Sequence, residues 1–239
     1  MPPSAAPLFA QLTELYRARR SYIAIETSQR NAAAALQAVA AGAADLAFIE
    51  RPLDPSEGLD PETTRPRLRA WPVGTGALAI IVHPSNPVSS LTLGQVRRTF
   101  VGVESNWARL GGEDRALRLV SREAGAPLRE AMERQALQGA AVAGTAIVMP
   151  DDRAVAEYVA THPEAIGYVA STWVSDEVKA LTVDGAPCEP AAVASGAYPL
   201  TYPLVVVAPT AISGKAKDLI DFVYSPEGRA VLARGFALP

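Results

Sequence analysis

Between Leu78 and His83 the chain runs Leu-Ala-Ile-Ile-Val-His, which reads as a buried strand, and Pro84-Ser-Asn-Pro87 stops it at once. Proline fixes its own φ and has no N–H for a ladder, so two prolines in this short run force the strand to end. A helical pattern follows, Leu93-Gly-Gln-Val-Arg-Arg-Thr-Phe100, then Asn106-Trp107, a Gly111-Gly112 turn and a second strand, Leu117-Arg-Leu-Val-Ser121. That strand feeds a loop and a helix start, Arg122-Glu-Ala-Gly-Ala-Pro-Leu-Arg129. Strand and helix in alternation argue for an α/β architecture over a sandwich or a helical bundle.

The alternation extends to both ends. Leu8, Phe9, Leu12, Leu15 and Tyr16 recur at helical spacing, so 7–20 is predicted as an amphipathic helix. Residues 21–26 (Ser-Tyr-Ile-Ala-Ile-Glu) alternate like a strand, and Asn31 is placed to cap an alanine-rich helix that Gly42 ends. Asp45–Ile49 reads as a short buried strand. Further strands are expected at 165–169, 178–182 and 203–208, and further helices at 127–138, 152–161, 215–224 and from Ser225 onward. No repeat and no Pro- or Gly-rich linker divides the chain.

Composition excludes several classes. A chain of 239 residues, 49% apolar and 20% charged, can bury a substantial core. A net charge of −3 without a long basic run offers no footprint for nucleic acid. The lone Cys188 rules out an internal disulfide and any cysteine-based zinc cluster. His83 and His162 lack metal-ligand spacing and read as the ends of a strand and a helix. Gly74-Thr-Gly76-Ala-Leu-Ala79 fits a dinucleotide fingerprint only on paper, because it precedes a strand and does not join a strand to a helix. No cofactor is implied. Ser121 and Ser195 lack a nucleophile elbow, Asp151-Asp152 reads as a helix cap with a first-turn acid, and Trp107 and Trp173 read as core anchors. Trp71 reads as core or cleft-facing. No apolar run approaches the roughly 20 residues that span a bilayer, and residues 1–20 show no signal-peptide pattern.

In the order of its landmarks the chain resembles the phosphate-binding solute receptors of bacterial ABC transporters. Their pattern runs strand, NPSNP, helix, NW, GG, strand, S-R-E-x-G-S-G-T-R. Segments 165–169, 178–185, 194–200 and 219–228 extend the resemblance over nearly the whole chain. It implies a two-lobed periplasmic-binding-protein (type 2) fold, each lobe a mixed sheet flanked by helices. Residues 1–80 with 203–239 are expected to form one lobe and 81–202 the other, with crossings near 78–84 and 198–205. By position, Met1 to Pro7 matches the family's first ligand loop, so its opening strand is expected to be absent, through a late start of the chain or a rearranged sheet. The resemblance further implies export to the periplasm or cell surface, although a cytoplasmic place stays open, and partners among transporter membrane subunits.

The resemblance also places the ligand loops, and here the chain departs from the pattern. Of the first loop only Ser4 survives. The second becomes Asn31-Ala32-Ala33-Ala34-Ala35, losing its serine, and the third becomes Ser121-Arg122-Glu123-Ala124-Gly125-Ala126-Pro127-Leu128. There Ala126 and Leu128 replace hydroxyls and Pro127 deletes an N–H. An oxyanion stripped of water needs each oxygen re-satisfied, and about four lost bonds at roughly 1.5–3 kcal/mol each leave a weak site. Arg122 sits where the family clamps phosphate, Glu50 where some members carry an aspartate that accepts the ligand's proton, and Arg30 and Arg51 flank the loops. The expected ligand-binding set is therefore Ser4, Asn31, Glu50, Arg51, Ser121, Arg122, Gly125 and Ala126, with Arg122 and Glu50 facing one another or a shared ligand. Against it stands an ordinary ion-pair network of Arg122, Arg51 and Glu50.

The function expected is a non-enzymatic solute-binding protein that takes phosphate or a related small anion, weakly, by hinge closure. The alternative is an interaction or sensory module that keeps the fold with a vestigial ligand cleft. An enzyme has least support, because no nucleophile–base pair can be named.

Overall fold

The computed structural model describes residues 5–20, 22–28, 30–54, 56–57, 67–212 and 214–239. In chain order the elements are α1 (Ala6–Arg19), α2 (Ala32–Ala40), β1 (Ala47–Ile49), β2 (Leu68–Val82), β3 (Ser90–Leu91), α3 (Leu93–Phe100), β4 (Arg118–Arg122) and α4 (Pro127–Gln135). They continue with β5 (Ile147–Met149), α5 (Asp152–Thr161), β6 (Ala165–Ala170), β7 (Lys179–Ala180), β8 (Thr182–Val183) and α6 (Pro190–Ala194). The chain closes with β9 (Thr201–Pro209), α7 (Gly214–Val223), α8 (Pro226–Leu232) and β10 (Phe236–Ala237). It divides into two compact units, residues 1–75 with 203–239 and residues 76–202. The first boundary lies ahead of the expected residue 80, because β2 is one strand of 15 residues that begins well before Leu78.

In the first unit β1 runs antiparallel to β9, with Phe48 opposite Val206. Helix α2 covers this pair, and Leu36 and Val39 pack with Ala47, Ile49, Val205 and Val207. The Asn31 side chain caps α2 by accepting from Ala34 N at 2.9 Å, so an alanine-rich segment starts as a helix where a polar cap meets it. Helix α1 packs on α7 and α8, with Tyr16 edge-on to Phe222 at 5.2 Å. Of the predicted apolar stripe, Leu8, Phe9, Leu12 and Tyr16 are buried but Leu15 is 44% exposed, so the stripe is narrower than its spacing suggests. No strand forms over residues 22–26. Ile23 is buried and Tyr22 exposed, but Ile23 N–H bonds back to Arg20 and Arg17 Nη2 holds the Ile25 carbonyl, so the segment caps α1.

In the second unit the carboxyl-terminal part of β2 pairs antiparallel with β6, from Leu78 opposite Ala170 to Val82 opposite Ile166. Strand β6 pairs parallel with β4, and β4 parallel with β5. Helix α5 lies over this sheet, burying Val155 and Val159 against Ala79, Ile81, Val120 and Val169. The expected strand at 178–182 is split into β7, on β2, and β8, parallel to β3. Trp107 is buried, its indole N–H on the Glu164 carbonyl at 2.9 Å, while Trp173 is half-buried. In the first unit Trp71 is half-buried under the Arg69 guanidinium. The glycine pair at 74 and 76 serves packing: a Cβ at Gly76 would lie 2.5 Å from the Tyr202 ring.

Candidate functional site

Three strands, β5, β4 and β6, lie side by side and parallel, so their carboxyl ends meet on one rim of the second unit. Open α/β sheets place ligands outside that rim. Arg122 is the last residue of β4, opposite Met149 at the end of β5. The turn after β5 leads through Pro150 and Asp151 into α5. Asp151 caps that helix through Ala154 N at 2.8 Å, which sets the following residue, Asp152, pointing inward and fully buried.

The result is a buried arginine with a fixed mount. Arg122 Nη1 donates to Asp152 Oδ1, and Nη2 donates to the Pro150 carbonyl at 3.0 Å. The other Asp152 oxygen accepts the Ala170 N–H, at the end of β6, at 3.1 Å. One carboxylate thus ties all three strand ends together. Glu123 covers the remaining edge of the guanidinium, accepting from Nε at 3.3 Å and from Nη2 at 3.1 Å. Burial opposes the Arg122 charge, but Asp152 and Glu123 more than offset it and hold its pKa above the ordinary value. Burial pushes the Asp152 carboxyl up, while Arg122 and the Ala170 N–H pull the other way. With a guanidinium on one oxygen and an N–H on the other, the ionised form is the one this geometry holds.

Ser121 is fully buried and turned away from the rim. Its Oγ lies 2.7 Å from Tyr168 Oη, which accepts the Arg122 N–H at 3.3 Å. A consistent assignment has the Tyr168 hydroxyl donating to Ser121 Oγ and Ser121 donating to the Arg122 carbonyl. Burial raises the Tyr168 phenol, which stays protonated in this role. Gly125 takes a φ of +82°, a left-handed conformation that glycine adopts without strain. Ala126 is buried and stands at the N-cap of α4 with no side chain able to cap. Pro127 follows, so the first turn of α4 offers the N–H groups of Leu128 and Arg129, for which the helix itself has no acceptor. Arg129 Nη1 holds the Arg122 carbonyl at 3.0 Å, and its Nε pairs with Glu133 at 2.9 Å.

The remaining expected site residues lie in the first unit. Glu50 follows β1 and is buried. Arg51 is engaged bidentately by Glu57, at 2.7 and 2.6 Å, and also donates to the Pro52 carbonyl. Arg51 draws the Glu57 carboxyl below the usual range against a smaller effect of burial. Asn31 spends its side-chain oxygen on the α2 cap, and Arg30 Nε reaches Ser28 Oγ at 3.3 Å. Ser4 lies outside the described residues. Within the second unit the structure therefore gathers Ser121, Arg122, Gly125 and Ala126 on one turn. Arg122 has the partners Asp152 and Glu123, and Arg51 has the partner Glu57. Sequence reasoning missed the roles of Asp152, Tyr168 and Glu123. Only Glu123, inside the Ser-Arg-Glu run, carried a local signal. Among the described residues no group of three His, Cys, Asp or Glu is placed to hold a metal ion.

Comparison with known proteins bears on the fold and the family. A family model for the PBP superfamily domain matches residues 3–227. The phosphate-binding protein PstS of Bacillus subtilis (strain 168) is 27% identical over 222 residues, covering 92% of this chain and 72% of that protein. A solved structure from Clostridium perfringens, assigned as a phosphate ABC transporter substrate-binding protein and holding phosphate, is 25% identical. It superposes with a TM-score of 0.88 over 99% of this chain and 97% of that one. The regulatory domain of Synechocystis CcmR, in complex with 2-PG, shares the fold alone at 12% identity, with a TM-score of 0.66 over 93% of this chain and 92% of its own.

Proposed function

Because the chain belongs to the PBP superfamily, we propose that it is a non-enzymatic receptor for a small oxyanion of the phosphate class, bound on the turn that follows β4. The observation that carries the reading is Arg122, mounted at the carboxyl end of a parallel strand beside the open first turn of α4. A guanidinium and helix N–H groups are complementary to oxyanion oxygens. Relatives named for phosphate binding support the same ligand class. Delivery to transporter membrane subunits, in the periplasm or at the cell surface, belongs to this reading. No helix among the described residues is long and apolar enough to cross a membrane.

The affinity proposed is low. Ala32, Ala126 and Leu128 bring no hydroxyl, Pro127 brings no N–H, Ser121 is committed to Tyr168, and Arg122 is already held by carboxylates. Phosphate is expected to dissociate in the high-micromolar range or weaker, where each factor of ten is about 1.4 kcal/mol. Isothermal calorimetry with phosphate, sulfate, molybdate, phosphonates and carboxylates tests this. Submicromolar phosphate binding refutes the low affinity, and silence across the panel refutes the receptor.

One observation favours a second reading, an interaction or sensory module with a vestigial cleft. Around the turn, the carboxylates of Asp152, Glu123 and Glu133 outnumber the guanidinium groups of Arg122 and Arg129. A multiply charged anion gains little there unless a carboxylate moves aside.

A further inference from the structure

We propose that Glu123 sets the affinity threshold of this turn, as a displaceable carboxylate that occupies the Nε/Nη2 edge of Arg122 until an oxyanion replaces it. The inference rests on the receptor reading above and deepens it. Arginine has five N–H donors in a planar fork. Asp152 and the Pro150 carbonyl take the inner ones, and Glu123 takes the outer edge with both of its oxygens, at 3.3 and 3.1 Å. Two oxygens on one guanidinium edge is the arrangement in which phosphate and carboxylate are recognised.

Exposure separates the two carboxylates. The Asp152 side chain is 0% exposed and cannot leave without stranding a buried charge. The Glu123 side chain is 49% exposed and can swing into water with its charge hydrated. As the next residue in the chain, it is always at hand to rebind. An incoming ligand must therefore match two bonds at once to displace it. Phosphate and sulfate can supply two oxygens at that spacing, whereas chloride offers a single point and replaces both bonds poorly. Glu123 thus lowers the apparent affinity of every anion that must displace it by the same factor, so that anions which fill both bonds stay in a measurable range and weaker single-point anions drop out of it.

The test compares the full chain with Glu123→Gln and Glu123→Ala, titrated with inorganic phosphate, sulfate and chloride while the Arg122 Nε–H resonance is followed. Urea midpoints establish that the variants fold like the parent. Both variants are expected to bind phosphate and sulfate about tenfold more tightly. Chloride is expected to be inert towards the parent in the millimolar range and to compete in the variants. Phosphate and sulfate affinities that are unchanged or weaker in both folded variants overturn the role of Glu123 and leave the receptor reading standing. If neither parent nor variants take up any of the three anions, the receptor reading falls and the role of Glu123 falls with it.

Discussion

Arg51 and Arg122 each follow or end a strand at a carboxyl terminus, and each meets carboxylates, yet the two are built differently. Arg51 pairs with Glu57, six residues along the same loop, and the side chains are 23% and 30% exposed. Arg122 pairs with Asp152, thirty residues away, and the side chains are 6% and 0% exposed. The first pair needs only a turn to form. The second needs β4 and β5 to lie parallel and in register, with β6 beside them. A local pair shapes its loop, while a non-local buried pair reports that the whole sheet has assembled. The second fixes its guanidinium between buried partners.

The contrast breaks most readily at Asp152. Asp152→Ala leaves Arg122 buried without its principal partner and is expected to cost about 3–5 kcal/mol of stability, read as a shift in urea denaturation. A loss below about 1 kcal/mol, the range of an exposed pair, makes the two sites alike. Next comes Arg122→Ala, expected to abolish binding of any anion that calorimetry detects in the parent chain. Retained binding moves the site off this turn. Glu57→Gln ranks third, with an expected stability loss of about 1 kcal/mol or less and no effect on anion affinity. The smallest effect is in pH. The Glu57 carboxyl is depressed in the folded chain, chiefly by its bond to Arg51. Its stabilising contribution is thus present above the unfolded value near 4.3 and is lost as pH falls through the lower folded value. A carboxyl titration by NMR with a Glu57 midpoint at or above about 4.3 contradicts this.

The same contrast explains what could be read without coordinates. Features set by nearby residues were legible. Asn31 and Asp151 cap the helices they precede, and Pro84 and Pro87 follow the end of β2. The strand that carries Arg122 was legible from the pattern at 117–121, and the resemblance located the turn, but β5 beside it was not expected. What failed depended on distant partners. The alternation at 21–26 has the period of a strand, but a strand forms only where another offers a ladder, and those N–H and carbonyl groups went to α1. Asp152 sits at a first-turn position that reads the same whether its side chain meets solvent or the core. Its burial follows from the pairing of β4 with β5, which no local pattern encodes. Ser121 fits the family's motif and yet faces inward, because strand side chains alternate and its side belongs to Tyr168.

The buried anchors of Arg122 are Asp152, itself held by the Ala170 N–H, and the Pro150 carbonyl, all beyond the segment that runs from Glu123 to Ala126. Of those four, Glu123 and Ala124 are exposed and can change by mutation with little consequence for the scaffold, whereas Gly125 is held to its left-handed φ and Ala126 is buried. A lineage carrying this fold can retune recognition by rewriting these two exposed residues, and can let recognition lapse and return while the protein goes on folding. The turn carries a replaceable pair of residues, and a laboratory library confined to positions 123 and 124 samples new specificities at low risk to the host domain.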